Sequence, residues 1–311
     1  MQAATLSDPV CRILALDGGG AKGFYTLGVL KEIEGLVKKP LHECFDLVFG
    51  TSTGAIIAAL IALGRSVGEI HELYRKHVPT VMREKKRAGR SAALKALAGT
   101  VFGDATFYDI QTGIGIVATR WLQERPLVFK ADVRQAHGRE GTFVPGFGVK
   151  IADAVRASCS AYPFFERTVV TTSDRDKIEL IDGGYCANNP TLYALVDALG
   201  PLKFARDRVR VVSVGVGSYP EPRRNLWERV KRRHLPVQLL QKTLEINTQS
   251  MDQLRSLLFR DIQTVRISDT YLQPEMATDL LEHDLNKLNQ LQQRGRESFA
   301  AHEQTLRNML L

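Results

Sequence analysis

Cys11-Arg-Ile-Leu-Ala-Leu-Asp-Gly-Gly-Gly-Ala-Lys-Gly23 decides the fold of this chain. Its first half is a short apolar run that stops at glycines, the pattern of a strand buried on both faces. Phe24 to Val37 then carries Leu27, Leu30, Ile33 and Val37 at helical spacing, so the stretch predicts strand, glycine loop and helix. The plan recurs. Phe45-Asp-Leu-Val-Phe49 predicts a strand, Gly50-Thr-Ser-Thr-Gly54 a tight turn, and Ala55 to Leu63 a helix. Two such units predict an α/β domain with a mostly parallel central sheet flanked by helices.

Further strands are expected at Leu127–Lys130, Thr142–Val144, Lys177–Ile181 and Arg208–Val214. Helices are expected at Val67–Val78, Ile151–Ser158 and Pro190–Leu199, the last with proline in its first turn. From Leu226 onward the spacing of Leu280, Leu285, Leu288, Leu291 and Leu306 predicts amphipathic helix. The expected organisation is an α/β core over residues 10–220 and a helical C-terminal portion, 221–311, packed on the same domain.

The 311 residues are 44% apolar and 24% charged, which excludes disordered, collagenous and coiled-coil classes. Lysine and arginine outnumber acidic residues 42 to 34, a net charge of +8 that suits an anionic partner without choosing among membrane, nucleotide and nucleic acid. The four cysteines, Cys11, Cys44, Cys159 and Cys186, show no C-x-x-C spacing, as expected of a reduced intracellular protein. Met1 to Val10 lacks the features of a signal peptide. The longest purely apolar run, Ala55 to Leu63, falls well short of the roughly 20 residues that span a bilayer. Any action on membrane lipid must therefore come from the aqueous side.

Three motifs carry candidate chemistry. Gly50-Thr-Ser52-Thr-Gly54 is a G-x-S-x-G turn between a strand and a helix, a context that lifts the serine hydroxyl clear of the sheet. Gly50 and Gly54 let the backbone approach closely, and the helix N-terminus lies beside a developing anion. The second motif, Gly18-Gly19-Gly20 with Lys22 and Gly23, formally matches G-x-G-x-x-G. A dinucleotide site would need an acidic residue about 20 residues on, at the end of the second strand, where Phe49-Gly50 stands. Gly23 is followed by Phe24, which excludes a Walker A loop. The glycine N–H groups instead suit an oxyanion hole, with Lys22 adding positive charge. The third motif is Asp182-Gly183-Gly184 at a strand end. A free aspartate, with a pKa of about 3.9, needs burial to accept a serine proton near neutral pH.

Of the seven histidines only His234, His283 and His302 follow Asp182, and all lie in polar or basic helical sequence rather than at a strand end. A histidine triad is not supported, and no metal-ligand spacing is present.

Together these pieces resemble the patatin-like phospholipase family from about Ile13 to Gly217. Asp17-Gly-Gly-Gly-Ala-Lys-Gly23 is similar to its oxyanion loop, with lysine where arginine is commoner. Gly50–Gly54 is similar to its nucleophile elbow. Ala157-Ser-Cys-Ser-Ala-Tyr-Pro-Phe-Phe165 is similar to its A-S-x-A-x-P-x-F block with one extra residue. Asp182-Gly-Gly184 with Asn188-Asn-Pro190 is similar to its final block. The resemblance implies a three-layer fold and a Ser52–Asp182 dyad without histidine. It implies Gly18, Gly19 and Gly20 as oxyanion donors, and phospholipid or other acyl lipid as substrate. No metal or resident cofactor is implied.

The loops Leu16–Phe24 and Gly50–Leu60 are also similar to those of patatin-like effectors in cyclic-oligonucleotide antiphage signalling (CBASS). That resemblance implies a cytoplasmic protein that a cyclic di- or trinucleotide switches on and that works at the inner face of the membrane. Its basic stretches, Arg83–Arg90 and Arg223–Arg233, suit phosphates of such an activator or of anionic lipid. The alternatives are a constitutive acyl hydrolase, a nucleotide-binding module built on Gly18–Gly23, and an inactive lipid-binding relative. The helical tail offers a surface for a homo-oligomer, nucleic acid is not an expected partner, and 81–106 is the expected mobile cover.

Overall fold

The computed structural model describes residues 9–220 and 235–311. Its strands are β1 (Cys11–Leu16), β2 (Leu47–Thr51), β3 (Gly113–Arg120), β4 (Arg125–Phe129), β5 (Thr168–Thr171), β6 (Lys177–Asp182), β7 (Val209–Val214) and β8 (Gln263–Ile267). They form one sheet in the order β5-β6-β3-β2-β1-β7-β8, with β4 also on β3. From β3 through β2, β1 and β7 to β8 all pairings are parallel. Beyond β3 the sheet turns antiparallel, through β4, β6 and β5.

The helices are α1 (Gly23–Val37), α2 (Leu41–Cys44), α3 (Thr53–Ala62), α4 (Val67–Arg83), α5 (Arg87–Phe102), α6 (Ile151–Ser158), α7 (Gly184–Ala187), α8 (Thr191–Leu199), α9 (Leu235–Leu258), α10 (Leu285–Ala300) and α11 (Glu303–Leu310). Alternation along β1 sorts its side chains to the two faces of the sheet. Leu14 and Leu16 join Leu27, Leu30, Ile57 and Ile61 of α1 and α3 in the larger core. Cys11 and Ile13 join Ala194, Leu195 and Ala198 of α8 on the other face. The result is a three-layer α/β/α architecture.

The C-terminal helix α10 packs directly on α1. A Cβ on Gly28 of α1 would sit 2.0 Å from the Gln292 carbonyl oxygen, and one on Gly295 of α10 would sit 2.0 Å from that of Tyr25. The two helices therefore cross backbone to backbone, which only glycine permits.

Several expectations need correction. The central strand β3 was not legible, because Gly113 and Gly115 depress strand propensity. Thr142–Val144 is not a strand: Glu140–Thr142 is a 3₁₀ turn in the long connection from β4 to α6. The portion expected to be helical from Leu226 contains β8, which extends the parallel sheet at its edge. The expected cover, 81–106, is mainly the end of α4 and the whole of α5. The basic stretch Arg223–Arg233 and His234 lie outside the described residues. Among those residues no helix is long and apolar enough to cross a membrane.

Candidate active site

The sheet register brings two strand ends together. Thr51, the last residue of β2, lies opposite Val117 of β3. Asp182, the last residue of β6, lies opposite the next residue, Ala118. Since β4 pairs with 116–120 on the other edge of β3, β2 and β6 share one edge and meet end to end. Ser52 leaves the sheet at that junction.

Ser52 turns the chain from β2 into α3 at φ 54° and ψ −121°. This region is strained for a residue with a Cβ, at a cost of about 1–3 kcal/mol. The turn is tight because a Cβ on Gly54 would fall 2.3 Å from the Leu16 carbonyl oxygen. The Ser52 N–H donates to Ser158 Oγ at 2.9 Å, and that hydroxyl donates to the Val117 carbonyl at 2.5 Å. The same segment holds the acid: Asp182 N–H donates to the Ser160 carbonyl at 3.0 Å, and Gly183 N–H to that of Ser158 at 3.3 Å. The 157–165 block, matched loosely in sequence, thus ties both strand ends together.

Asp182 is 1% exposed. Burial pushes its carboxyl up to about 7, opposed by the Gly184 N–H, which donates to it at 2.7 Å, and by the nearby Ser52 hydroxyl. Cys159 lines the same cavity, and burial and the nearby Asp182 push its thiol up. Serine and buried carboxyl line one cavity, and none of the described histidines lines it with them.

The glycine loop divides its labour. Gly18 N–H donates to the Asn188 carbonyl at 2.9 Å, and Ala21 N–H to that of Leu280 at 3.1 Å. Between these pins, the N–H groups of Gly19 and Gly20 donate to no described residue, and both glycines line the cavity with Ser52 and Asp182. Gly18 is thus spent on the scaffold. Lys22 does not line the Ser52 cavity. It is buried in a separate cavity of about 200 Å³, 3.8 Å from Glu245. Burial pushes its pKa down. Asp17 is clamped by both terminal nitrogens of Arg266 from β8, which fixes the loop's entry. Gly50 and Gly183 leave no room for a Cβ against the backbone of Gly54 and Val117, and Gly23 and Gly184 leave none against the side chains of Thr53 and Leu244.

Sequence reasoning did not assign Ser158, Cys159 or Arg266. The first two stood inside a quoted motif without a role. Nothing in the local sequence of β8 distinguishes Arg266.

The cavity over Ser52 holds about 60 Å³. Its walls are apolar: Val78, Val81 and Met82 of α4, Leu94 and Leu97 of α5, Phe164 and Phe165, and Leu240 and Leu244 of α9. Among the described residues no group of three or more His, Cys, Asp or Glu side chains is placed to hold a metal ion.

A family model described as patatin-like phospholipase matches residues 14–195. A cUMP-AMP-activated phospholipase of Escherichia coli is 67% identical over 305 residues, covering 98% of this chain and 95% of its own length. A cGAMP-activated phospholipase of Vibrio cholerae is 29% identical over 209 residues, 59% of this chain and 56% of that protein. Among solved structures, VipD from Legionella pneumophila superposes with a TM-score of 0.49 at 13% identity, over 97% of this chain and 67% of VipD.

Proposed function

The chain belongs to the patatin-like phospholipase family, and from that premise we propose that it cleaves acyl esters of membrane phospholipids with Ser52 and Asp182 under cyclic-dinucleotide control. The observation that carries the chemistry is the strained Ser52 sharing an apolar cavity with a buried carboxyl that burial pushes up to about 7. Ser52 Oγ attacks the ester carbonyl while Asp182 takes its proton. The Gly19 and Gly20 N–H groups hold the tetrahedral oxyanion. Collapse expels the lysolipid alkoxide, which Asp182 protonates, and leaves an acyl ester on Ser52. Asp182 then takes a proton from water, the hydroxide attacks the acyl carbonyl, and fatty acid leaves as Ser52 recovers its proton.

Control by an activator is supported by size as well as by relatives. Ligand cavities usually measure about 300–1,000 Å³, so the 60 Å³ over Ser52 excludes an acyl chain until its walls part. Exposed Arg83, Lys85, Lys86 and Arg87 join α4 to α5 beside that apolar wall. Such a rim suits an anionic lipid surface approached from the cytoplasm.

The test is fatty-acid release from phosphatidylglycerol/phosphatidylethanolamine vesicles with and without cUMP-AMP. Release only with the nucleotide is expected. Equal release without it would overturn gating, and none with any cyclic di- or trinucleotide would overturn the substrate class.

Ser158→Ala tests the positioning of the nucleophile. Removing the hydroxyl strands the Ser52 N–H and the Val117 carbonyl, at a cost of about 1–3 kcal/mol of stability. We expect a lower Tm and a kcat reduced roughly 10–100-fold with little change in KM on a soluble ester, as misplacement of a nucleophile produces. Wild-type kcat and Tm together would remove the clamp.

A further inference from the structure

A cavity of about 550 Å³ opens on the antiparallel end of the sheet and shares no lining residue with the Ser52 cavity. Its walls come from the end of β3, the β4–α6 connection and the β5–β6 turn. Two buried polar atoms ask for a ligand. Gln135 is 1% exposed; its amide nitrogen donates to Asp197 at 2.8 Å and to the Ile114 carbonyl at 3.3 Å, while its Oε1 is buried without a partner. Thr172 Oγ1, in the same lining, is buried without a partner as well. Buried polar atoms of this kind are rarely left unpaired.

The charges are unpaired too. Arg120 and Arg139 make no ion pair with a described residue, whereas Lys130 and His137 are both held by Asp197 at 2.6 Å. Burial pushes the Arg120 guanidinium down, with Arg125 adding to the effect. Asp176 opposes these influences in part, and a phosphodiester in the cavity would oppose them further. Asp174 and Asp176 face the same cavity and supply acceptors for base or ribose donors. Phe147 stands at the wall, 36% exposed and in T-shaped contact with Phe129 at 5.9 Å, an aromatic ring within reach of a base in the cavity.

We propose that this cavity is the seat of the cyclic dinucleotide: Arg120 and Arg139 take phosphate, Gln135 Oε1 accepts a base N–H, and Phe147 stacks on a base. The inference rests on the reading that such a nucleotide controls the enzyme. The route to the active site is short in covalent terms. Asp176 and Ile178 line the cavity at the start of β6, and β6 ends in Asp182. Arg120 ends β3, where Thr119 Oγ1 donates to the Asp182 carbonyl at 2.9 Å. A ligand drawn between Arg120 and the β5–β6 turn bears on both strands that hold the acid.

The test is calorimetric titration of the full chain with cUMP-AMP in the absence of lipid, for wild type, Arg120→Gln and Phe147→Gly. Both variants alter partly exposed positions, and a Tm within about 2 °C of wild type checks the fold. Binding is expected to weaken roughly 10–100-fold in Arg120→Gln, the loss typical of a charge-assisted contact, and about 10-fold in Phe147→Gly. Wild-type affinity in both folded variants, with wild type binding, would overturn this seat and leave gating intact. No binding by wild type would overturn gating and the seat with it. Displacement of cUMP-AMP by glycerophosphoglycerol would assign the cavity to lipid headgroup instead.

Discussion

Ser52→Ala is expected to reduce activated fatty-acid release at least roughly 1,000-fold while the chain stays folded. Of the two hydroxyls that line the cavity, that of Thr53 is tied to the Tyr74 hydroxyl at 2.9 Å, which leaves Ser52 to form the acyl intermediate. Cys159 sits beside it, but burial and the Asp182 charge keep its thiol protonated. It cannot deputise. The substitution leaves the strained turn in place, because alanine at φ 54° carries the same Cβ. Ser52→Gly removes both nucleophile and strain. It should be as inactive as alanine and about 1 kcal/mol more stable than wild type, the relief at φ > 0 exceeding glycine's entropic cost. Vesicle assays and thermal denaturation of both variants check this. Residual release above a few per cent would assign the nucleophile elsewhere. A glycine variant less stable than alanine would show that the turn is not strained.

The parts of this site written in contiguous residues were legible. Ser52 and Asp182 each close a short apolar strand, and a buried strand followed by glycines is hard to mistake. What escaped was set by partners distant in sequence. Gly18 could not be told from Gly19 and Gly20 without the Asn188 carbonyl that takes its N–H. Lys22 reads as an oxyanion cation until Glu245 of α9 turns it into the neighbouring cavity. β3, the strand on which β2 and β6 meet, hid behind Gly113 and Gly115. β8 hid because Gln263-Thr-Val-Arg-Ile267 is a half-polar edge whose arginine serves Asp17.

Asp182→Asn keeps the shape of the acid and removes its ability to take a proton. The turnover of the activated enzyme should fall about 1,000-fold or more, near the upper end of general-base effects. The wild-type rate should rise through about pH 7, where Asp182 ionises, and level above it; the asparagine variant should lack that step. Stability moves the opposite way. The folded pKa, about 7, stands above the unfolded value of about 3.9, so between these limits the native state holds the extra proton. Wild-type stability is therefore lost as pH climbs from about 4 to about 7, by an amount on the order of a few kcal/mol, and is flat beyond. Asparagine is neutral in both states, and its Oδ1 can still accept the Gly184 N–H. The variant should match wild type near pH 4, exceed its Tm increasingly up to about pH 7, and hold that margin to pH 8. Thermal melts across that range decide it: a Tm difference independent of pH would mean that Asp182 is ionised throughout and is too weak a base for the role proposed here.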